Sequence, residues 1–131
     1  MKKLFKNTKV WMLFLCMPLI FITSCKEDPA EDKTIIIKEG PNAADEAQTA
    51  FIEAEDGTTI IFEEGTFSFT NTLSMDGKNN IIIKGAGSGL TKLNFSAQAS
   101  GGEGVLITNG TNIRIQDLTI MDSEGDALKT R

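Results

Sequence analysis

The chain has no histidine and no tyrosine, and Arg114 and Arg131 are its only arginines. The commonest general base, the commonest nitrogen ligand for a metal and the phenolic proton donor are therefore absent, and general acid–base or nucleophilic chemistry has no convincing constellation. Cysteine is almost absent too: Cys16 sits inside an apolar run near the start and Cys25 just after it. If that run is removed, Cys25 is the one thiol left, so an internal disulfide is excluded and redox compartment cannot be read from cysteine usage. No apolar run is long enough to span a bilayer, which takes about 20 residues; the longest covers residues 10–22, 13 positions. Nucleotide-binding loops are missing as well. Gly85-Ala86-Gly87-Ser88-Gly89 looks like a dinucleotide fingerprint, but Leu90 stands where a small residue is needed, a strand-like alternation follows instead of a helix, and there is no Gly-Lys-Ser/Thr.

A targeting segment opens the sequence. Lys2, Lys3, Lys6 and Lys9 precede the 13-residue apolar run, a length that suits a signal-peptide core. Ile22-Thr23-Ser24-Cys25 resembles a bacterial lipobox, in which cleavage leaves Cys25 as the first residue and lipid is attached to its sulfur. The alternative is an ordinary secretory signal with a chance cysteine. Residues 25–33 read as a charged tether that cannot bury itself. Lys26-Glu27-Asp28 resembles the export signal of lipoproteins sent to the outer face of the outer membrane; a plain solvated spacer is the other reading. The resemblance implies a lipid anchor in the outer membrane, exposed at the cell surface.

The rest is organised by a short repeat. Asn80-Ile81-Ile82-Ile83-Lys84 aligns with Asn112-Ile113-Arg114-Ile115-Gln116 at an offset of 32 (112 − 80). Glu103-Gly104-Val105-Leu106-Ile107 aligns with Glu124-Gly125-Asp126-Ala127-Leu128 at 21 (124 − 103), and Ile60-Ile61-Phe62 precedes Ile81-Ile82-Ile83 by 21 (81 − 60). The longer unit then carries an insertion of eleven (32 − 21). Apolar and polar residues alternate in 113–116 and 66–70, so each strand has one greasy side. One such unit cannot enclose a core, whereas stacked copies place like over like. Asp76-Gly77-Lys78-Asn79-Asn80 and Asn109-Gly110-Thr111-Asn112 supply corner residues that accept positive φ. An antiparallel meander is the rival, since Asn-Gly and Asp-Gly also mark hairpins; the units match in long register, not as mirrored pairs, which favours the coil.

Residues 60–131 resemble the first coils of a right-handed parallel β-helix protein of the pectin-lyase-like superfamily. The most specific part, residues 81–95, is similar to an early-coil signature of such proteins. The resemblance implies an all-β fold, two to three coils of a right-handed parallel β-helix behind a short amino-terminal capping helix. It implies little about chemistry, because this architecture hosts lyases, hydrolases, epimerases and non-catalytic surface proteins.

The expected organisation is a signal peptide over 1–24, a tether over 25–33, a strand and capping helix over 34–57, and the start of the β-helix over 58–131. The strand is Thr34-Ile35-Ile36-Ile37-Lys38. The helix starts from Asn42 as N-cap, carries Asp45 and Glu46 in its first turn, and stops at Glu55-Asp56-Gly57. Its stripe of Ala43, Ala47, Ala50, Phe51 and Ala54 suits a lid over the open first rung. Strands are expected over 58–62 and 66–70, a glycine corner at 85–89, and a protruding loop at 96–104.

Two sets of residues are candidates for a site. Asp117, Asp122, Glu124 and Asp126 could hold Ca²⁺, which takes six to eight oxygen ligands; the resemblance adds that polysaccharide lyases of this architecture often use such a site to neutralise uronate. Their spacing matches no defined calcium loop, and acidic corner residues are common. Arg114 alternates outward between Ile113 and Ile115 and could touch an acidic sugar, or simply be solvated. Beyond possible Ca²⁺ no cofactor is indicated. Removing residues 1–24 deletes four lysines and no acids, which leaves 9 − 18 = −9. That disfavours nucleic acid and, with the missing loops, nucleotide.

Two functions follow. One is a carbohydrate-active protein that binds or processes uronate-rich glycan, its groove and any lyase, hydrolase or epimerase chemistry lying in coils past residue 131. The other is a non-catalytic adhesin or scaffold. From residue 25 there are 131 − 24 = 107 residues, room for two and a half to three rungs with a cap at one end, so a truncated stack with an exposed apolar rung is expected. Size-exclusion chromatography of the chain from Cys25 onward is then expected to show association, and a clean cooperative monomer would contradict this.

Overall fold

The computed structural model describes residues 33–131, and the expected signal segment, Cys25 and the expected tether up to residue 32 lie outside them. Ten strands and one helix follow in order: β1 Thr34–Ile37, α1 Ala43–Glu53, β2 Thr59–Phe62, β3 Gly65–Ser68, β4 Leu73–Asp76, β5 Ile82–Lys84, β6 Thr91–Asn94, β7 Val105–Thr108, β8 Arg114–Gln116, β9 Thr119–Met121 and β10 Leu128–Thr130. The strands form three sheets with orders β1-β2-β5-β8, β3-β6-β9 and β4-β7-β10, and every pair is parallel. From β2 to β10 the chain visits the first, second and third sheet in turn, three times over. A meander of hairpins is therefore excluded among the described residues.

Parallel pairing superposes equivalent side chains. In the first sheet Ile35, Ile60, Ile83 and Ile115 stand in one column. Phe67, Leu93 and Ile120 make the column of the second sheet, and Leu73, Val105 and Leu128 that of the third. Ile60, Ile83, Phe67, Leu93, Leu73 and Val105 are fully buried. Ile115 and Ile120 in the last rung are half-buried against the same core. Aromatic rings fill the sides: Phe62 meets Phe67 edge-on at 5.1 Å, and Phe69 stacks on Phe95 at 4.9 Å.

The repeat register differs from the sequence alignment in two places. Thr59 pairs with Ile82 and Val105 with Leu128, an offset of 23 in each case (82 − 59, 128 − 105), not 21. A slip of two residues leaves the inside–outside alternation unchanged, so the pattern could not detect it. The 32-residue offset stands (Ile83 with Ile115), and the added length is nine (32 − 23), not eleven. Gly65 pairs with Thr91 at 26 and Leu73 with Val105 at 32. The glycine corner thus contributes three (26 − 23) and the 95–104 loop six (32 − 26). That loop does not simply protrude. Gln98 is buried, and its amide donates to Thr72 Oγ1 at 3.0 Å and to the Glu103 carbonyl at 2.8 Å, tying the loop to the preceding turn.

Corners use left-handed residues as expected. Asn80 and Asn112 have φ of 57° and 53°, and Asn112 Nδ2 donates to Asn80 Oδ1 at 2.8 Å across the stack. At the glycine corner, Thr91 Oγ1 accepts from the Ala86 amide and donates to the Glu63 carbonyl, both at 2.9 Å. Gly85 is required by proximity: a Cβ there would lie 2.2 Å from the Asp117 carbonyl oxygen one turn later.

Helix α1 closes the amino-terminal end. Ala43, Ala47, Ala50 and Phe51, with Ala54 just past the end, are all buried in the common core. Two details depart from expectation. The helix ends at Glu53 with Ala54 as cap, and the Asn42 side chain makes no capping hydrogen bond. Burial of the stripe, not the cap, holds this helix.

Gly85→Ala and Gly89→Ala separate close approach from ordinary glycine entropy. Gly89 has open space where a Cβ would go. Denaturant titration should show Gly89→Ala within about 0.5 kcal/mol of wild type and Gly85→Ala destabilised by more than about 2 kcal/mol.

Candidate functional site

The outward faces of the strands carry the chemistry, since the inward faces are apolar. Arg114 projects outward and is exposed, beside Ile82 on β5. Gln116, two residues on, stands beside Lys84. Residues two apart on a strand share a face, so Arg114, Gln116 and Lys84 form one polar ledge on the first sheet. On the second sheet Lys92 lies between Thr66 and Thr119, with Asn94 on the same face.

These cations differ from the others in what they touch. Lys33 bonds Glu55, and Lys38 lies 3.5 Å from Glu63. Lys78 donates to the Ile52 carbonyl at 2.6 Å. Lys129 donates to Glu103 at 2.8 Å and lies 3.3 Å from Asp126, while Arg131 is 3.9 Å from Glu103. Among the described residues, Lys84, Lys92 and Arg114 have no carboxylate or carbonyl partner.

The four acids proposed as metal ligands are not brought together. Asp117 occupies the corner between β8 and β9, whereas Asp122, Glu124 and Asp126 lie in the next one, between β9 and β10. Asp117 and Asp122 take left-handed φ values of 57° and 59°, a conformation Asp and Asn accept more readily than most residues. Asp126 is engaged by Lys129. Among the described residues no three His, Cys, Asp or Glu side chains are grouped to hold a metal ion.

The carboxyls that are perturbed are perturbed downward. Hydrogen bonding from Lys129 holds Glu103 below its ordinary 4.5, and the same contact raises Lys129. Thr108 and then Asn109 hold Asp76 down, Asn109 Nδ2 donating to it at 2.8 Å. Lys33 does the same for Glu55. A general acid needs the opposite shift. The Glu103–Lys129–Asp126 cluster was not legible beforehand, because the 21-residue alignment placed Glu103 opposite Glu124, and only the true 23-residue register brings Lys129 alongside.

No protein-family model matches this chain, and no curated protein or solved structure matches it. No helix of the described residues is long and apolar enough to cross a membrane.

Glu103 yields a pH prediction. Its carboxyl is depressed in the folded state, so its contribution is present above the ordinary glutamate value and fades as pH falls through the lower folded one. The thermal midpoint of wild type should therefore decline more steeply below about pH 4.5 than that of Glu103→Gln, with the two curves converging at the acid end.

Proposed function

We propose that this chain is a lipid-anchored, extracytoplasmic right-handed parallel β-helix of the pectin-lyase-like kind, and that it binds acidic, uronate-rich polysaccharide without cleaving it through the residues described here. The observation that carries the reading is the set of unpartnered cations Lys84, Lys92 and Arg114 on outward strand faces, among Gln116, Asn94, Thr66 and Thr119. A chain with a net charge of −9 from Cys25 onward would repel a polyanion in general. Attraction must then be local, and these side chains are placed for it. Amide and hydroxyl neighbours suit sugar hydroxyls. The cyclic visiting of three parallel sheets supports the β-helix reading, and Ile22-Thr23-Ser24-Cys25 supports the anchor. Catalysis has less support: there is no His or Tyr, and Glu55, Asp76 and Glu103 are shifted away from general-acid behaviour.

A non-catalytic adhesin or scaffold is the second reading, favoured by the otherwise plain outward positions Thr34, Thr59 and Ser68. Titration calorimetry with polygalacturonate, beside a neutral glucan, distinguishes the two. Binding should be specific to the acidic polymer, weaken with salt, and fall about fivefold for each of Lys84→Ala and Arg114→Ala, with no rise in absorbance at about 235 nm from unsaturated uronate ends. Equal binding to both polymers, or none, leaves the scaffold reading. The anchor is tested separately: Cys25→Ser should move the product from the detergent to the aqueous phase.

A further inference from the structure

Helix α1 and the outward row of β4 border an open cleft of about 220 Å³. Gln48 and Ile52 stand four residues apart and share one helix face. Ser74 and Asp76 stand two apart and share one strand face. Buried Phe51 lies at the floor and Lys78 at one end. One side chain of the helix wall is already committed to the strand. Gln48 Nε2 donates to the Ser74 carbonyl at 3.0 Å, and the Ser74 amide donates to Gln48 Oε1 at 3.1 Å. That reciprocal pair fixes helix against strand, so the cleft is preformed.

The other groups of the cleft have bonding capacity left. Asp76 Oδ1 is taken twice, by Thr108 Oγ1 and by Asn109 Nδ2 at 2.8 Å, and these bonds hold the carboxyl below its ordinary 3.8, so it is ionised at neutral pH. Among the described residues nothing bonds Asp76 Oδ2 or the Ser74 hydroxyl. Lys78 spends one ammonium proton on the Ile52 carbonyl at 2.6 Å. It makes no ion pair, not even with Asp76 two residues away. On the helix side Ile52 offers an apolar side chain that is 62 % exposed.

An ionised carboxylate only accepts hydrogen bonds and an ammonium only donates them. A hydroxyl does both, so two adjacent hydroxyls can join such a pair without carrying charge. An apolar wall opposite suits the C–H face of a sugar ring. We propose that this cleft binds the terminal ring of a neutral sugar, a hexopyranose whose adjacent hydroxyls bridge Asp76 and Lys78 while its C–H face lies on Ile52. The volume falls below the roughly 300–1,000 Å³ of larger ligand sites, which leaves room for one ring. Uronates are disfavoured, since a ring carboxylate would meet ionised Asp76. The site shares no residue with Lys84, Lys92 and Arg114, and it stands apart from the acidic-polymer reading. One ring and few contacts predict a Kd of about 1 mM. The dilute chain ends of a polymeric glucan therefore add nothing measurable beside polygalacturonate.

Proton–nitrogen NMR of the full chain, titrated separately with galactose, glucose, mannose, glucuronate and glycine, tests this. At least one neutral hexose should shift the amide resonances of Ile52, Ser74 and Lys78 saturably. Asp76→Asn keeps an oxygen for Thr108 and Asn109 but turns the open acceptor into a donor, and it should weaken binding about tenfold. Ile52→Glu charges the apolar wall at an exposed position and should abolish binding with the circular dichroism spectrum unchanged. Should Asp76→Asn unfold, Ile52→Glu carries the test alone. Lys84→Ala combined with Arg114→Ala should leave hexose binding intact, and a loss there overturns the proposal. It is equally overturned if no neutral hexose shifts these resonances, if glucuronate or glycine binds as tightly as the best hexose, or if folded Asp76→Asn or Ile52→Glu binds like wild type.

Discussion

Parallel superposition of strands is the constraint from which the other features follow. A turn of three strands, each three or four residues long, offers at most two inward side chains per sheet, too few to exclude water by itself. Laid over its neighbour in register, each turn places Ile60 on Ile83, Phe67 on Leu93 and Leu73 on Val105, and these side chains become fully buried. Main-chain bonding and side-chain burial are satisfied by the same alignment. Anything that shifts one turn laterally disrupts both together. The backbones therefore pass close at the corners, as Gly85 and Asp117 do, and the corners fall to residues that accept left-handed geometry.

Repetition along an axis leaves an end, and the end is handled by a helix instead of another turn. Apolar residues of α1 cover the core, while its polar side chains attend to the strand edges. Gln48 is well suited to this because an amide side chain offers one donor and one acceptor in the spacing of a peptide group. Glu39 can only accept, and it meets a single amide. The lid thus combines hydrophobic closure with hydrogen-bond closure, and it also concentrates Asp45, Glu46, Glu53, Glu55 and Asp56 at one end of the molecule. The unpartnered cations belong to later turns, so charge is distributed unevenly along the stack.

Much of the architecture could be read from the sequence, for physical reasons that also mark where reading failed. The alternation in Ile113-Arg114-Ile115-Gln116 and the duplicated Asn-Ile motif report strand faces and a corner, and both survive in the structure as the Ile83–Ile115 pair and the Asn80–Asn112 bond. The alanine stripe identified the lid because helical spacing is a local property. Register was misjudged by two residues, since a shift of two preserves which side each residue faces. Asp117 and Asp122 read as possible ligands because the sequence shows acids close together but not that two of them serve backbone corners. Arg114 was placed outward correctly by alternation alone. Its companions Lys84 and Lys92 were overlooked, because a cation becomes notable only when the structure shows which other cations have found carboxylates.

The extra nine residues of the middle turn enter at two corners and leave the inward columns undisturbed, and the longer of the two segments is fastened by Gln98 to Thr72 beneath it. Length can thus vary where the chain bends without any cost to the strands. A fold with this property is suited to carrying grafted sequences: a foreign epitope or short binding motif spliced between Ser96 and Gln98 would leave the clamp as its foot and be held upright on the flank of the stack, displayed from a rigid body instead of a floppy tether.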